Sequence, residues 1–123
     1  MKILFSAQGD SSKSMVDQRF GRAAFYVIYD DEKDTYEAIE NLGKHENSGA
    51  GVKASQFVIE QGAEVVITGS LGPKAFMIIQ DAGIRGFKNF NGTIEEVLAA
   101  YKNNELEELT AAGQEQKVRG RFR

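Results

Sequence analysis

Asp17-Gln18-Arg19-Phe20-Gly21-Arg22 sets two guanidinium groups around an aromatic ring and a glycine, just before the apolar run Ala23 to Tyr29. Arginines presented from a turn at the edge of a strand suit anionic or electron-rich ligands, because five fixed donors meet negative charge in a set geometry. The run is equally compatible with a salt-bridged turn in which Arg19 or Arg22 pairs with Asp17. Two further segments combine glycine with lysine, Gly49-Ala50-Gly51-Val52-Lys53 and Gly69-Ser70-Leu71-Gly72-Pro73-Lys74. Each stands at the start of an expected helix, where free backbone N–H groups attract negative charge. Arg19, Arg22, Gly49, Gly51, Lys53, Gly72 and Lys74 are therefore the candidate ligand-binding residues. The competing reading is that these glycines only allow tight turns.

The single histidine, His45, lies in a polar loop, and the chain has no cysteine. One imidazole does not make a zinc site, which wants about four ligands. It can anchor a preformed cluster that arrives with its other valences filled. Disulfides and thiolate metal sites are excluded, which fits a reducing compartment.

Familiar motifs fail on spacing. Gly49-Ala50-Gly51-Val52-Lys53-Ala54 matches G-x-G-x-x-G/A, but no strand immediately precedes it and no acidic residue follows near position 71. Lys53 lacks the upstream glycine of a phosphate loop. Ser6, Ser11, Ser12 and Ser14 form no nucleophile elbow. A magnesium nuclease with this hairpin-first arrangement needs a carboxylate on strand one, and Lys2 to Ser6 offers none. No acid–base pair or activated nucleophile assembles, so no enzymatic activity is expected.

The elements that must position these residues follow from hydrophobic pattern. Lys2 to Ala7 reads as a buried strand, Ala24 to Tyr29 and Thr35 to Ile39 as a hairpin across Asp30–Asp34. Val52 to Gln61 reads as a helix with Val52, Ala54, Ser55, Val58 and Ile59 on one face and Gly62 at its stop. Val65 to Thr68 is a short buried strand. Pro73 opens a second helix, with Ala75, Phe76 and Ile79 inward and Gly83 beyond its end. Ile84 to Phe87 is the last strand. Thr93 and Glu96 form a capping box for a final helix with the stripe Ile94, Val97, Leu98 and Tyr101.

The order βββαβαβα predicts an α/β fold with a five-stranded mixed sheet, strand two antiparallel and helices on both faces. Its helix starts fall outside the carboxyl ends of the parallel strands, where ligands sit. Loop 8–17, the arginine turn and His45 are expected along that edge. The expected core comprises Ile3, Phe5, Val27, Val58, Val66, Ile67, Phe76, Ile79, Val97 and Leu98.

Composition sets the outer limits. The chain has 123 residues, 41% hydrophobic and 27% charged, ordinary values for a globular domain able to bury roughly two thirds of its unfolded surface. Lys117, Arg119, Arg121 and Arg123 stand against Glu115, giving residues 110–123 a balance of +3. The whole chain carries −3, so residues 1–109 sum to −6. An acidic body argues against general nucleic-acid binding. Residues 1–109 are expected to form one domain, with 110–123 a basic, flexible tail. The opening apolar run is too short for a signal peptide or a membrane span, so a cytoplasmic protein without membrane partners is expected.

Taken together, Met1-Lys2-Ile3-Leu4-Phe5, Asp17 to Arg22, His45 ahead of Gly49-Ala50-Gly51, Gly62 to Ile67, Gly69 to Phe76 and Gly92 to Val97 resemble the dinitrogenase iron–molybdenum cofactor-binding family. The resemblance covers about residues 1–109 with order and spacing preserved. It implies a three-layer α/β/α fold with a ribonuclease H-like motif but no nuclease chemistry. It also implies carriage of iron–molybdenum cofactor or a related iron–sulfur cluster, with cofactor-assembly proteins as partners. His45 would then be the metal ligand. A regulatory module or small enzyme acting on an anionic metabolite, and an interaction module without a ligand, are the alternatives.

Overall fold

The computed structural model describes residues 1–46 and 48–110. Its elements are β1 (Lys2–Ala7), β2 (Phe25–Asp30), β3 (Thr35–Glu40), α1 (Ala50–Glu60), β4 (Val65–Thr68), α2 (Pro73–Asp81), β5 (Arg85–Lys88) and α3 (Ile94–Lys102). They form one five-stranded sheet in the order β3-β2-β1-β4-β5. Strand β2 is antiparallel to both its neighbours, whereas β1, β4 and β5 run parallel. This is the mixed sheet expected from the hairpin-first order. Among the described residues no helix is long and apolar enough to cross a membrane.

The continuous apolar run Ile3-Leu4-Phe5 becomes the central strand because a strand buried on both faces needs no polar alternation. Leu4, Ile28 and Val66 share one face with Ala54 and Val58 of α1 and Ala75 and Ile79 of α2. Ile3, Phe5, Val27 and Ile67 turn to the other, against Ile94, Val97 and Leu98 of α3. Period-two alternation thus divides the core into two layers. Of the expected core, Phe76 alone is only half-buried, packed at the margin of the first layer.

Helix boundaries follow local chemistry. Thr93 accepts from the Glu96 N–H at 3.2 Å and Glu96 accepts from the Thr93 N–H at 2.9 Å, completing the capping box of α3. Pro73 occupies the first turn of α2. Helix α1 begins at Ala50, two residues earlier than its pattern suggested, because Gly49 takes a left-handed turn (φ 78°) that starts the spiral sooner. Ala54, Ser55 and Val58 face inward, and Ile59, about 100° further round, is 44% exposed instead of buried.

Two features had no clear signal in the sequence. Loop 8–17 folds onto the start of α3 before Asp17 brings it back to the arginine turn. Ser14 and Ser12 carbonyls accept from the Ile94 and Glu95 N–H groups at 2.9 and 3.0 Å, and Ser12 Oγ donates to Glu95 at 2.6 Å. Residues 107–109 sheathe the outer edge of β5. Lys88 N–H donates to the Glu107 carbonyl and Leu109 N–H to the Gly86 carbonyl, both at 2.8 Å. Glu108 forks onto Arg85 at 2.8 and 3.0 Å, and that hydrogen bond lowers the Glu108 pKa. The basic segment expected at 110–123 lies, beyond Thr110, outside the described residues.

Ile67 is fully buried, so Ile67→Ala should cost about 2–5 kcal/mol in denaturant unfolding, whereas Ile59→Ala should cost about 0.5 kcal/mol or less. Tyr26 supplies a pH test. Its hydroxyl donates to the Phe20 carbonyl at 2.7 Å, and burial, assisted by the Asp17 charge, raises its pKa well above the ordinary 10.0. A raised folded-state pKa stabilises fully below pH 10.0 and is lost as pH rises through the folded value. Alkaline titration should therefore destabilise the wild type more steeply than Tyr26→Phe.

Candidate functional site

Beyond the carboxyl ends of β1 and β4 lies a cleft of about 520 Å³, lined by Arg19, Phe20, Gly21, Arg22, Gly49, Gly51, Val52, Ser70 and the start of α2 from Gly72 to Ala75. Six of the expected binding residues therefore meet in one place: Arg19, Arg22, Gly49, Gly51, Gly72 and Lys74. Phe20, Gly21 and Ser70 join them. Ser70 was legible as part of Gly69 to Lys74, but nothing in its own type marked it.

The arginine turn is held at this edge by close backbone approaches. A Cβ on Gly21 would come within 2.7 Å of the Gly51 nitrogen and 2.8 Å of the Ala50 carbonyl carbon. A Cβ on Gly69 would stand 2.6 Å from Gln18 Oε1. Only glycine lets the turn press against the start of α1 on one side and the end of β4 on the other. Arg19 and Ser70 also form an isolated parallel bridge.

Asp17 anchors the same turn. Its buried carboxylate accepts from the Arg19 backbone N–H at 2.9 Å, from Arg19 Nε at 3.0 Å and from Arg19 Nη2 at 2.9 Å. Its carbonyl accepts from Ser6 Oγ at 2.6 Å and Asn89 Nδ2 at 3.2 Å. The salt-bridged turn is therefore real for Arg19, and the Asp17 hydrogen bond raises the guanidinium pKa further. The pairing occupies Nε and part of Nη2 and leaves Nη1 without a carboxylate partner among the described residues.

The remaining cations differ. Lys74 is exposed, lines the cleft and has no ion-pair partner among the described residues. Lys53 is not in the cleft. It lines an adjoining groove and pairs with Glu46 at 3.1 Å, because its place in the first turn of α1 turns it toward loop 41–46. His45 is exposed and is not among the cleft-lining residues.

Four glycines, Gly21, Gly49, Gly51 and Gly72, are among the cleft's lining residues. Helices α1 and α2 both begin at a glycine, with no capping side chain and no acidic residue in the first turn. Helix α3, on the opposite face, has both. Free first-turn N–H groups and the positive end of each helix dipole are thus left for a ligand of negative charge. Gly72 is informative in a second way. Its φ of −67° and ψ of 169° suit any residue, and a Cβ there would meet no atom within 4 Å. Neither backbone strain nor a neighbouring atom requires glycine at this position, whose one role in the fold is as the N-cap of α2.

Among the described residues, no three His, Cys, Asp or Glu side chains converge as a metal site. What the arrangement can do is hold an anion by charge and N–H donors, with its bulk against glycine. Arg19→Gln should lower the thermal midpoint, since it strands the buried Asp17 carboxylate without its counter-ion. Lys74→Gln should change stability by no more than about 0.5 kcal/mol.

Comparison with known proteins agrees with this fold. The family model described as dinitrogenase iron-molybdenum cofactor matches residues 1–104. The apo form of the orange protein from Desulfovibrio gigas superposes with a TM-score of 0.87 at 30% identity, covering 92% of this chain and 96% of that one. A Thermotoga protein described as a candidate NifB gives 0.81 at 32% identity, covering 93% and 97%. An uncharacterized protein of Methanocaldococcus jannaschii is 26% identical over 93 residues, covering 73% of this chain and 79% of its own length. With the model matched across nearly the whole described length, this chain belongs to the dinitrogenase iron-molybdenum cofactor family.

Proposed function

We propose that this protein binds and carries an anionic metal–sulfur cluster, iron–molybdenum cofactor or a related iron–sulfur cluster, as cargo in the cleft between the arginine turn and the starts of α1 and α2. One observation carries the reading: two uncapped helix starts meet in a cleft rimmed by Arg19, Arg22 and Lys74, at a glycine that neither strain nor a neighbouring atom requires. Family membership supports the choice of ligand class.

The donor set fits a preassembled cluster better than bare metal ions. With no cysteine and one histidine, the chain offers no thiolate and a single imidazole, so the cargo must bring its own sulfides. The protein then contributes charge, N–H donors and a glycine floor, and His45, which stands on loop 41–46 outside the cleft lining, is the single imidazole ligand proposed for the cargo at the cleft's rim. Among the described residues no carboxylate lines the cleft, which favours binding and transfer over acid–base catalysis. Delivery to cofactor-assembly proteins is the role consistent with a site of this kind.

The test is anaerobic incubation of the protein with isolated iron–molybdenum cofactor, followed by desalting and analysis for iron and molybdenum. The wild type should retain both metals, and His45→Ala should retain less. Gly72→Val should lose retention while its stability falls by no more than about 1 kcal/mol, since only the cleft is filled. Lys74→Gln should bind more weakly, with a shallower dependence on salt. If the wild type retains no metal, or if His45→Ala and Gly72→Val both match it, the reading fails. Saturable binding of phosphorylated or carboxylated metabolites in place of the cluster would favour a metabolite-binding module.

A further inference from the structure

We infer that Arg22 is a positioning residue, which holds the loop bearing His45 beside the cleft by forking onto the backbone on both sides of the histidine. The inference rests on the carrier reading of the site and assigns Arg22 a role other than that of a simple charge for the cargo. Arg22 Nη1 donates to the Lys44 carbonyl at 3.0 Å and also to the Glu46 carbonyl. His45 stands between those two residues. The guanidinium that grips them also lines the cleft, so the grip brings the loop to the cleft's rim.

The rest of loop 41–46 is built onto the same turn. Buried Asn41 donates through Nδ2 to the Gly21 carbonyl at 3.0 Å and the Ala23 carbonyl at 2.9 Å, on either side of Arg22. Its Oδ1 accepts from the Gly43 N–H at 3.0 Å, and Gly43 accepts from the Glu46 N–H at 3.1 Å. Lys53 holds the Glu46 carboxylate from the α1 side. Arg22 and Lys53, both cations at helix or strand junctions, thus work as two tethers on one loop. Both bonds use the two hydrogens of one Nη1, held in place by the planar, pre-organised guanidinium, whereas a lysine ammonium in its place is a point charge on a flexible stem.

Two measurements test this. The first uses the protein without cofactor: amide hydrogen exchange by NMR across Gly43 to Glu46, with the thermal midpoint as a check on folding. Arg22→Lys and Arg22→Gln should both exchange about tenfold faster there, the scale of one or two lost net hydrogen bonds. The second is a double-mutant cycle on retention of isolated iron–molybdenum cofactor. His45→Ala should weaken retention in the wild-type background and have little further effect in the Arg22→Lys background, because the histidine is already unmoored. Unchanged exchange in both Arg22 variants overturns the inference, as does additivity of Arg22→Lys and His45→Ala. Faster exchange with cofactor retention unaltered by Arg22→Lys also overturns it, since the charge alone would then suffice. If the wild type retains no cofactor while exchange still rises, the loop contact stands but the positioning role falls with the carrier reading.

Discussion

Asp17 is the interaction on which the cleft depends. One buried residue takes hydrogen bonds at its carboxylate from the arginine turn and at its carbonyl from β1 and from Asn89 beside β5. Its own N–H returns to the Ser6 carbonyl at 2.8 Å. A buried carboxylate is tolerated only when it is paired and hydrogen-bonded, and here the pairing orders the turn. The backbone of Arg19 is fixed by the same oxygen that fixes its side chain. Arg19 is thus preorganised, because little side-chain freedom remains to be lost when an anion arrives.

Two kinds of glycine then build the site around that anchor. Gly21 and Gly69 are where two stretches of backbone nearly touch, and a methyl group at either would force the turn away from α1 or β4. Gly72 is the opposite, with open space where a side chain would be. The first kind makes the cleft's walls and the second keeps it open. Bringing them together requires the parallel run of β1 and β4, which places the turn after Thr68 beside the turn after Asp17.

Much of the fold was legible because each segment's local chemistry agrees with its tertiary place. The buried run of β1, the proline at the start of α2 and the capping box of α3 each state a boundary without reference to anything distant. Tertiary contacts decided what was not legible. Residues 105–109 read Glu105-Leu106-Glu107-Glu108-Leu109, which breaks strict alternation and carries no strand signature of its own, yet residues 107–109 cover the edge of β5 and Glu108 pairs with Arg85. Loop 8–17 reads as a polar connection, and only its proximity to α3 turns its carbonyls toward that helix. Residue types and spacing grouped Arg19, Arg22, Lys74 and the glycines, which the fold brings to the lining of one cleft. Lys53, grouped with them by spacing, lies in the adjoining groove instead, because a lysine in the first turn of a helix can turn to either side and Glu46 draws it to that one.

The two sides of the sheet end differently. The outer side of β5 is sheathed by residues 107–109, whereas β3 forms the other edge with Glu37, Ala38 and Glu40 exposed. An uncovered strand is a template for another strand, and exposed charge is one means of discouraging a poor match. A second copy laid edge to edge on β3 would bring the Glu37 and Glu40 carboxylates of each strand near those of the other, a repulsion that strengthens as ionic strength falls. Among the described residues, protection against self-association through this edge therefore falls to two acidic side chains on the far side of the sheet from β5. Sequence change in the cleft and sequence change at that edge are under separate physical constraints, so binding and resistance to aggregation can vary independently of one another.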